Sequence, residues 1–432
     1  VTLLKAVVLA AGEGRRLRPL TGDRGKGMLP VANRPIISYV IENLATCGIR
    51  DLVVVVGYQK EKVMNLLGNG KELGLRIEYV EQKFQLGTAH ALHQARDSIC
   101  GGREGTPNKV SERFLVVPGD SIVNQKALSR LVSIPEGEWG MLAASSANSS
   151  KYGVVTAREE HLAAIHEKHK ITEDLVSSGT PSIVALALWD QRTPSDSSLI
   201  NTGTYLLDEG IFRLLGTKDL GEPLRLTTCI SEEAVRRPVK VITIDSWLDA
   251  VYPWDLLTIN EHILTSTPRE SAGTMEEGVV IKGSVRIGEG ARVRCNTVIE
   301  GPAVIGPGTS IGPSAYVGPN TSIGENCAIG PFTAVKGSII MDDTVLGTHS
   351  SVNRSIIGNG CRIGDMFCIE QGENTILLEK RFTTKKLGAI VGSDCVISDH
   401  VSMGQGVLLG NGCKVGPHRH VRDNLQDGTN AV

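Results

Sequence analysis

Aromatic residues are scarce: Phe, Trp and Tyr make up only 4% of the 432 residues. Cores poor in rings are built from aliphatic side chains in slender layers. The chain also lacks an excess of either charge. Lys plus Arg number 45 against 47 for Asp plus Glu, a formal net charge of -2, which gives no support to a nucleic-acid coat protein or a polybasic membrane binder. No apolar run approaches the ~18 residues of a membrane helix. After Lys5, the run Ala6 to Ala11 is too short for a signal-peptide core, and Gly12-Glu13-Gly14-Arg15-Arg16 stands where a cleavage site would follow. The nine cysteines contain no CxxC pair, and an odd count without an export signal points to a reducing cytoplasm. What is plentiful is glycine, 49 residues, with 41% hydrophobic residues to form a core. At roughly 100–200 residues per domain, the length suggests two or three domains.

Two textures divide the chain. In the first half, short β-branched runs at Lys5–Ala11, Asp51–Gly57, Arg76–Val80 and Arg113–Pro118 alternate with helical periods. In Pro35–Cys47, Ile36, Ile37, Val40, Ile41 and Leu44 share one face. This alternation predicts an α/β Rossmann-like domain, a parallel sheet covered on both faces, with ligands beyond the carboxyl ends of its strands. After about residue 276 an aliphatic residue recurs every six positions, from Ile287 through Val293, Ile299, Ile305, Ile311, Val317, Ile323 and Ile329 to Val335. A small or modest residue precedes each by two, and the period resumes in a shifted phase with Val345, Ser351, Ile357 and Ile363, then from Val391 to Val421. Six residues suit one side of a triangular coil whose neighbours satisfy each other's backbone. Such hexapeptide repeats resemble the left-handed parallel β-helix. Cys327, Cys361, Cys395 and Cys413 fall in the small inward slot and read as core residues. The expected division is 1–262 for the α/β domain, 263–275 for a linker and 276–432 for the coil, with an excursion at 364–390, functional or a plain surface loop, where Lys380, Arg381, Lys385 and Lys386 crowd.

The first strand runs into Leu9-Ala10-Ala11-Gly12-Glu13-Gly14-Arg15-Arg16-Leu17-Arg18-Pro19-Leu20-Thr21, a loop whose backbone N–H groups can approach phosphate oxygens. It is not a dinucleotide fingerprint, because Leu17 stands where the third glycine belongs, nor a Walker loop, because Gly27 follows Gly25-Lys26. Continued through Lys26 to Pro35, it resembles the signature of sugar-1-phosphate nucleotidylyltransferases, with Arg15 in place of a small hydroxyl residue and Gly25 in place of proline. The resemblance implies that Leu9, Ala10, Ala11, Gly12 and Gly14 cradle a nucleoside triphosphate, and that Arg16 and Lys26 are the catalytic cations. Gln82 and the segment Gln85 to Ala91, with Gly87 and Thr88, resemble the part that reads a uracil or thymine edge. Asp120 and Asp249 match the two Mg²⁺ ligands, and Gly153, Glu167, Lys168 and Asn201 match the sugar-phosphate contacts. Two further departures are His169 for proline and Val251 for glycine. His90 and His93 read as packing or surface residues of a helix.

The residue types suit the chemistry. A sugar phosphate attacks the α-phosphorus of the triphosphate and pyrophosphate leaves. The nucleophile is already anionic, so no general base is needed, and catalysis rests on alignment and charge neutralisation. A nucleotidylyltransferase domain joined to a hexapeptide coil resembles the bifunctional enzymes of UDP-N-acetylglucosamine synthesis, closest to the archaeal long form. That resemblance implies a trimeric coil and acetyl transfer from acetyl-CoA to a hexosamine phosphate, with His349 as general base and Lys386 in the same site. The family's tyrosine three places after the histidine is Val352 here, and its asparagine is Arg362. Three readings stand: a nucleotidylyltransferase, the same with acetyl transfer in the coil, and a non-catalytic regulatory subunit.

Overall fold

The structure, a computed structural model, describes residues 4–101, 113–146, 152–166, 198–218, 223–370, 372–378 and 381–431. The chain divides into two compact units, Val1–Glu13 with Ile36–Leu248, and Gly14–Pro35 with Asp249–Val432.

In the first unit the apolar runs become a nine-stranded sheet. Its order is Arg76–Glu81, Asp51–Val56, Lys5–Ala10, Arg113–Pro118, Ser198–Asp208, Trp139–Ser146, Val239–Ile244, His161–His166 and Val154–Arg158. The first four strands are parallel, as the alternation predicts. The sheet as a whole is mixed, because Ser198–Asp208 runs antiparallel to both neighbours. Val7, Val53, Val55 and Val116 lie in the core with side chains of the helix Gly87–Gln94. The helix Ile36–Thr46 buries the five aliphatic residues its spacing singled out.

The second unit is dominated by a three-sided parallel coil with sheets of eight, nine and eight strands. Each side pairs with the side one coil on, as Ile299 with Val317 and Val335 with Val352. Every expected inward aliphatic from Ile287 to Val335 is 2% exposed or less. The shifted phase is corrected in detail: Val345 is exposed, and Ile340, Leu346 and Val352 point inward. Two sides are one residue short, before Ile340 and before Ile357, with the positive-φ turns of Gly337 and Arg354 at those places.

The small slot is more than small. Thr309 Oγ1 donates to Gly324 O at 2.7 Å, Thr333 Oγ1 to Gly347 O at 2.7 Å and Thr344 Oγ1 to Gly358 O at 2.8 Å. The thiols of Cys327 and Cys361 donate likewise, to Met341 O and Gly392 O at 3.1 Å each. The same hydroxyls accept from the slot N–H one coil on, as Thr309 Oγ1 does from Cys327. The slot therefore favours Thr, Ser and Cys because they join consecutive coils where Ala only fits.

Two expected boundaries move. The helix Asp255–Thr265 and the first coil strands Glu270–Ser271 and Thr274–Met275 occupy most of the expected linker 263–275. That helix belongs with the coil because it buries Leu264 against Val304. The excursion is narrower than 364–390: Cys368–Ile369 is still a coil strand, paired with Ser402–Met403. What leaves the coil is a hairpin of Gly372–Leu378 with Arg381–Leu387. Lys380 lies outside the described residues.

Candidate active site

The first unit contains a cavity of about 380 Å³ beyond the carboxyl ends of its parallel strands, where the strand pattern placed it. Of the expected residues, Leu9, Ala11, Gly12, Gln82, Gly87, Thr88, Asp120 and Asn201 line it. Gly12 has nothing within 4 Å of where a Cβ would stand, so its backbone is open to a close-lying anion. Ala11 O is already taken, by Tyr58 N–H at 3.1 Å and Gln85 Nε2 at 3.3 Å. The backbone is thus pinned from behind while the Gly12 face stays clear.

Asn201 enters the cavity because its strand bulges between Asn201 and Tyr205. Its Nδ2 donates to Tyr205 Oη at 2.7 Å, its Oδ1 accepts from Gly203 N–H at 3.1 Å, and its own N–H meets Gly153 O at 2.9 Å. Gly153 and Asn201, both expected sugar-phosphate residues, therefore lie side by side. Glu167 and Lys168, with His169, fall outside the described residues. Leu226 and Thr227 also line the cavity, and sequence reasoning did not single them out as binding residues. Leu226 arrives there because its N–H bonds Thr88 Oγ1 at 2.9 Å.

Gln82 is 5% exposed and follows directly on its strand. Its Nε2 lies 3.1 Å from Gly87 O and 2.9 Å from His90 Nδ1. His90, read from the sequence as packing or surface, is instead a polar neighbour of the expected base reader.

Arg16, Lys26 and Asp249 belong to the second unit. Arg16 sits in a single 3₁₀ turn, Arg15–Leu17, and is exposed. Gly14 takes φ 75° there, and a Cβ on it would meet Lys26 Cβ at 2.9 Å, so the loop and Lys26 pack closely only because Gly14 is bare. Lys26 Nζ makes an ion pair with Asp249 Oδ1 at 2.7 Å, both side chains less than one-fifth exposed. The carboxylates of Asp120 and Asp249 are hard oxygen donors of the kind Mg²⁺ takes, one or two at a time alongside substrate phosphates.

The segment carrying Arg16 and Lys26 is fastened to the coil within this unit. Its hairpin, Pro30–Val31 with Arg34–Pro35, turns through Ala32 and Asn33, both at positive φ. Asn260, fully buried, accepts from Ala32 N–H at 2.7 Å and Ser322 Oγ at 2.8 Å and donates to Asn320 O at 3.1 Å. Asn33 Nδ2 donates to Ile323 O at 2.5 Å, and Asn411 Nδ2 to Pro19 O at 3.0 Å.

In the coil, His349 is exposed at a corner with φ 55°, its ring stacked on Phe332 at 4.9 Å. Lys386 is exposed on the hairpin's return strand, where its carbonyl accepts from Arg354 Nε at 3.2 Å. Val352 is fully buried, so the position three after His349 faces the core.

With this geometry in place, the relatives can be set beside it. The nucleotidyl transferase family model matches residues 5–266, and that of the GMPPB C-terminal domain matches 299–430. The bifunctional protein GlmU of Methanocaldococcus jannaschii is 32% identical over 99% of this chain and 97% of its own length. The bifunctional sugar-1-phosphate nucleotidylyltransferase/acetyltransferase of Sulfurisphaera tokodaii is 31% identical over 97% of this chain and 96% of its own. No helix among the described residues is long and apolar enough to cross a membrane.

Proposed function

The chain belongs to the nucleotidyl transferase family, and on that premise we propose that it transfers a uridylyl or thymidylyl group from UTP or dTTP to a sugar 1-phosphate, releasing pyrophosphate. N-acetylglucosamine 1-phosphate and glucose 1-phosphate are the acceptors the signature implies. The observation that carries the reading is one cavity bounded by an open Gly12 backbone, the buried amide of Gln82, the carboxylate of Asp120 and the bulge residue Asn201. These groups suit, in turn, phosphate, base, metal and sugar phosphate. Arg16 and Lys26 neutralise the triphosphate, which lowers the repulsion between two anionic reactants. Asn201 and Gly153 orient the acceptor for in-line attack. Asp120 and Asp249 are the carboxylates that would hold Mg²⁺, which would supply further charge neutralisation.

A pyrophosphate-release screen with Mg²⁺, four nucleoside triphosphates and several hexose 1-phosphates tests this. Turnover is expected with UTP or dTTP, and Asp120→Ala lowers kcat about a thousandfold while thermal unfolding stays unchanged. Nucleotide binding with no product in any combination overturns the reading in favour of a regulatory subunit.

A second activity, acetyl transfer in the coil from acetyl-CoA to glucosamine 1-phosphate, is favoured by the name of the Sulfurisphaera tokodaii relative, a nucleotidylyltransferase/acetyltransferase. His349 takes the proton of the attacking amine and Lys386 contacts an anionic substrate group. Thiol release lost in His349→Ala supports it; no thiol release with any hexosamine phosphate removes it. The coil assembles as a homotrimer, closed around a threefold axis, and a monomer by light scattering at micromolar concentration refutes that.

A further inference from the structure

Gln82 is held so that only one of its side-chain atoms remains available to a ligand. A carbonyl oxygen can only accept, so Gly87 O, 3.1 Å away, requires the nitrogen end of the Gln82 amide. Turning the amide over would set Oε1 against that carbonyl. The second N–H of the same amide then points at His90 Nδ1, 2.9 Å away, and that nitrogen must accept. The ring proton of His90 is therefore on Nε2. Gln94 Nε2 lies 3.2 Å from His90 Nε2, and because that ring nitrogen carries the proton, the hydrogen-bond pattern exchanges the two ends of the Gln94 amide and sets its oxygen there as acceptor. With both N–H groups engaged, Gln82 offers the cavity its Oε1, a pure acceptor.

We propose that His90 is a positioning residue that locks Gln82 as an acceptor and so selects a nucleobase with a ring N–H over one with a ring-nitrogen lone pair. Uracil and thymine carry such an N–H at N3. Cytosine has a lone pair there, and two acceptors facing each other across a low-dielectric cavity repel. The inference rests on the nucleotidylyltransferase reading of the cavity and adds to it the group that sets base choice.

The test is the ratio of UTP to CTP kcat/KM, by pyrophosphate release, in the wild type, His90→Leu and His90→Asn. Leu keeps bulk but removes the acceptor. Asn keeps an oxygen near the position of Nδ1. His90→Leu is expected to lose about tenfold in the ratio, mainly through KM, and His90→Asn to recover most of it. A structural role alone would lower kcat/KM for both nucleotides together and leave the ratio unmoved, which overturns the proposal. Calorimetric binding of UTP and CTP to the same three proteins separates the two failures. If no turnover occurs with any sugar phosphate, the transferase reading fails, yet a UTP preference lost in His90→Leu still upholds the role of His90. A wild type that binds UTP and CTP alike overturns it whatever the turnover.

Discussion

In the coil, the hydroxyls of Thr309, Thr333 and Thr344 and the thiols of Cys327 and Cys361 meet the same kind of partner, a carbonyl one coil on. In the sheet unit, three cavity residues have three different surroundings: Gly12 is bare, Gln82 is clamped from two sides and Asn201 sits on a bulge. The coil repeats one solution, so its stability is close to a sum over neighbouring coils. The cavity is assembled once, from strand ends and loops far apart in the chain. Repetition suits a chassis, and irregularity suits recognition of one substrate. The loop bearing Arg16 and Lys26 departs from that division, because it is fastened to the regular coil through Asn260, Asn33 and Asn411.

Three perturbations sharpen the contrast. The largest is Ile329→Ala, which opens a cavity mid-coil and should cost about 2–5 kcal/mol, read as a lower urea midpoint for the coil with hydrogen exchange of the sheet unit unchanged. Equal loss of protection in both units would mean that they unfold as one. Next is Asn260→Leu, which leaves Ala32 N–H and Ser322 Oγ without their shared acceptor. A cost of about 2 kcal/mol is expected, together with a kcat loss that saturating nucleotide does not restore. Unchanged kcat would show that the loop holds its shape without the coil. The smallest is pH-dependent. Burial pushes the Cys327 thiol up to about 12 from an ordinary 9.0. Its stabilising share is complete below pH 9 and is lost as pH rises toward 12, because the unfolded thiol ionises first. Wild type should therefore lose stability relative to Cys327→Ala by at most about 1.4 kcal/mol per pH unit above 9. Parallel urea midpoints from pH 8 to 10.5 would contradict that origin.

Much of this could be read from residue order. A six-residue period survives in any local context, so Ile287 to Val335 announced their burial before any coordinate. The phase between Gly337 and Ile357 was misread because two sides are each one residue short, and only backbone pairing shows that Leu346 rather than Val345 turns inward. The cavity residues of the signature were legible for a different reason: their order and spacing resemble a known pattern. His90 was not legible, since its meaning comes from the Gln82 amide meeting the first turn of the helix that carries it.

By itself, the order of residues determined the two architectures, because these follow from periodicity, while the glycine loop and the groups expected to handle phosphate came from the resemblance to a known signature. The tertiary structure alone decided which atoms of those groups remain available: it occupied both hydrogens of Gln82, paired Lys26 with Asp249 and tied the loop to the coil. The physical reason is that a hydrogen bond depends on direction and distance, and neither exists until partners from 5 to 228 positions apart are brought within about 3 Å.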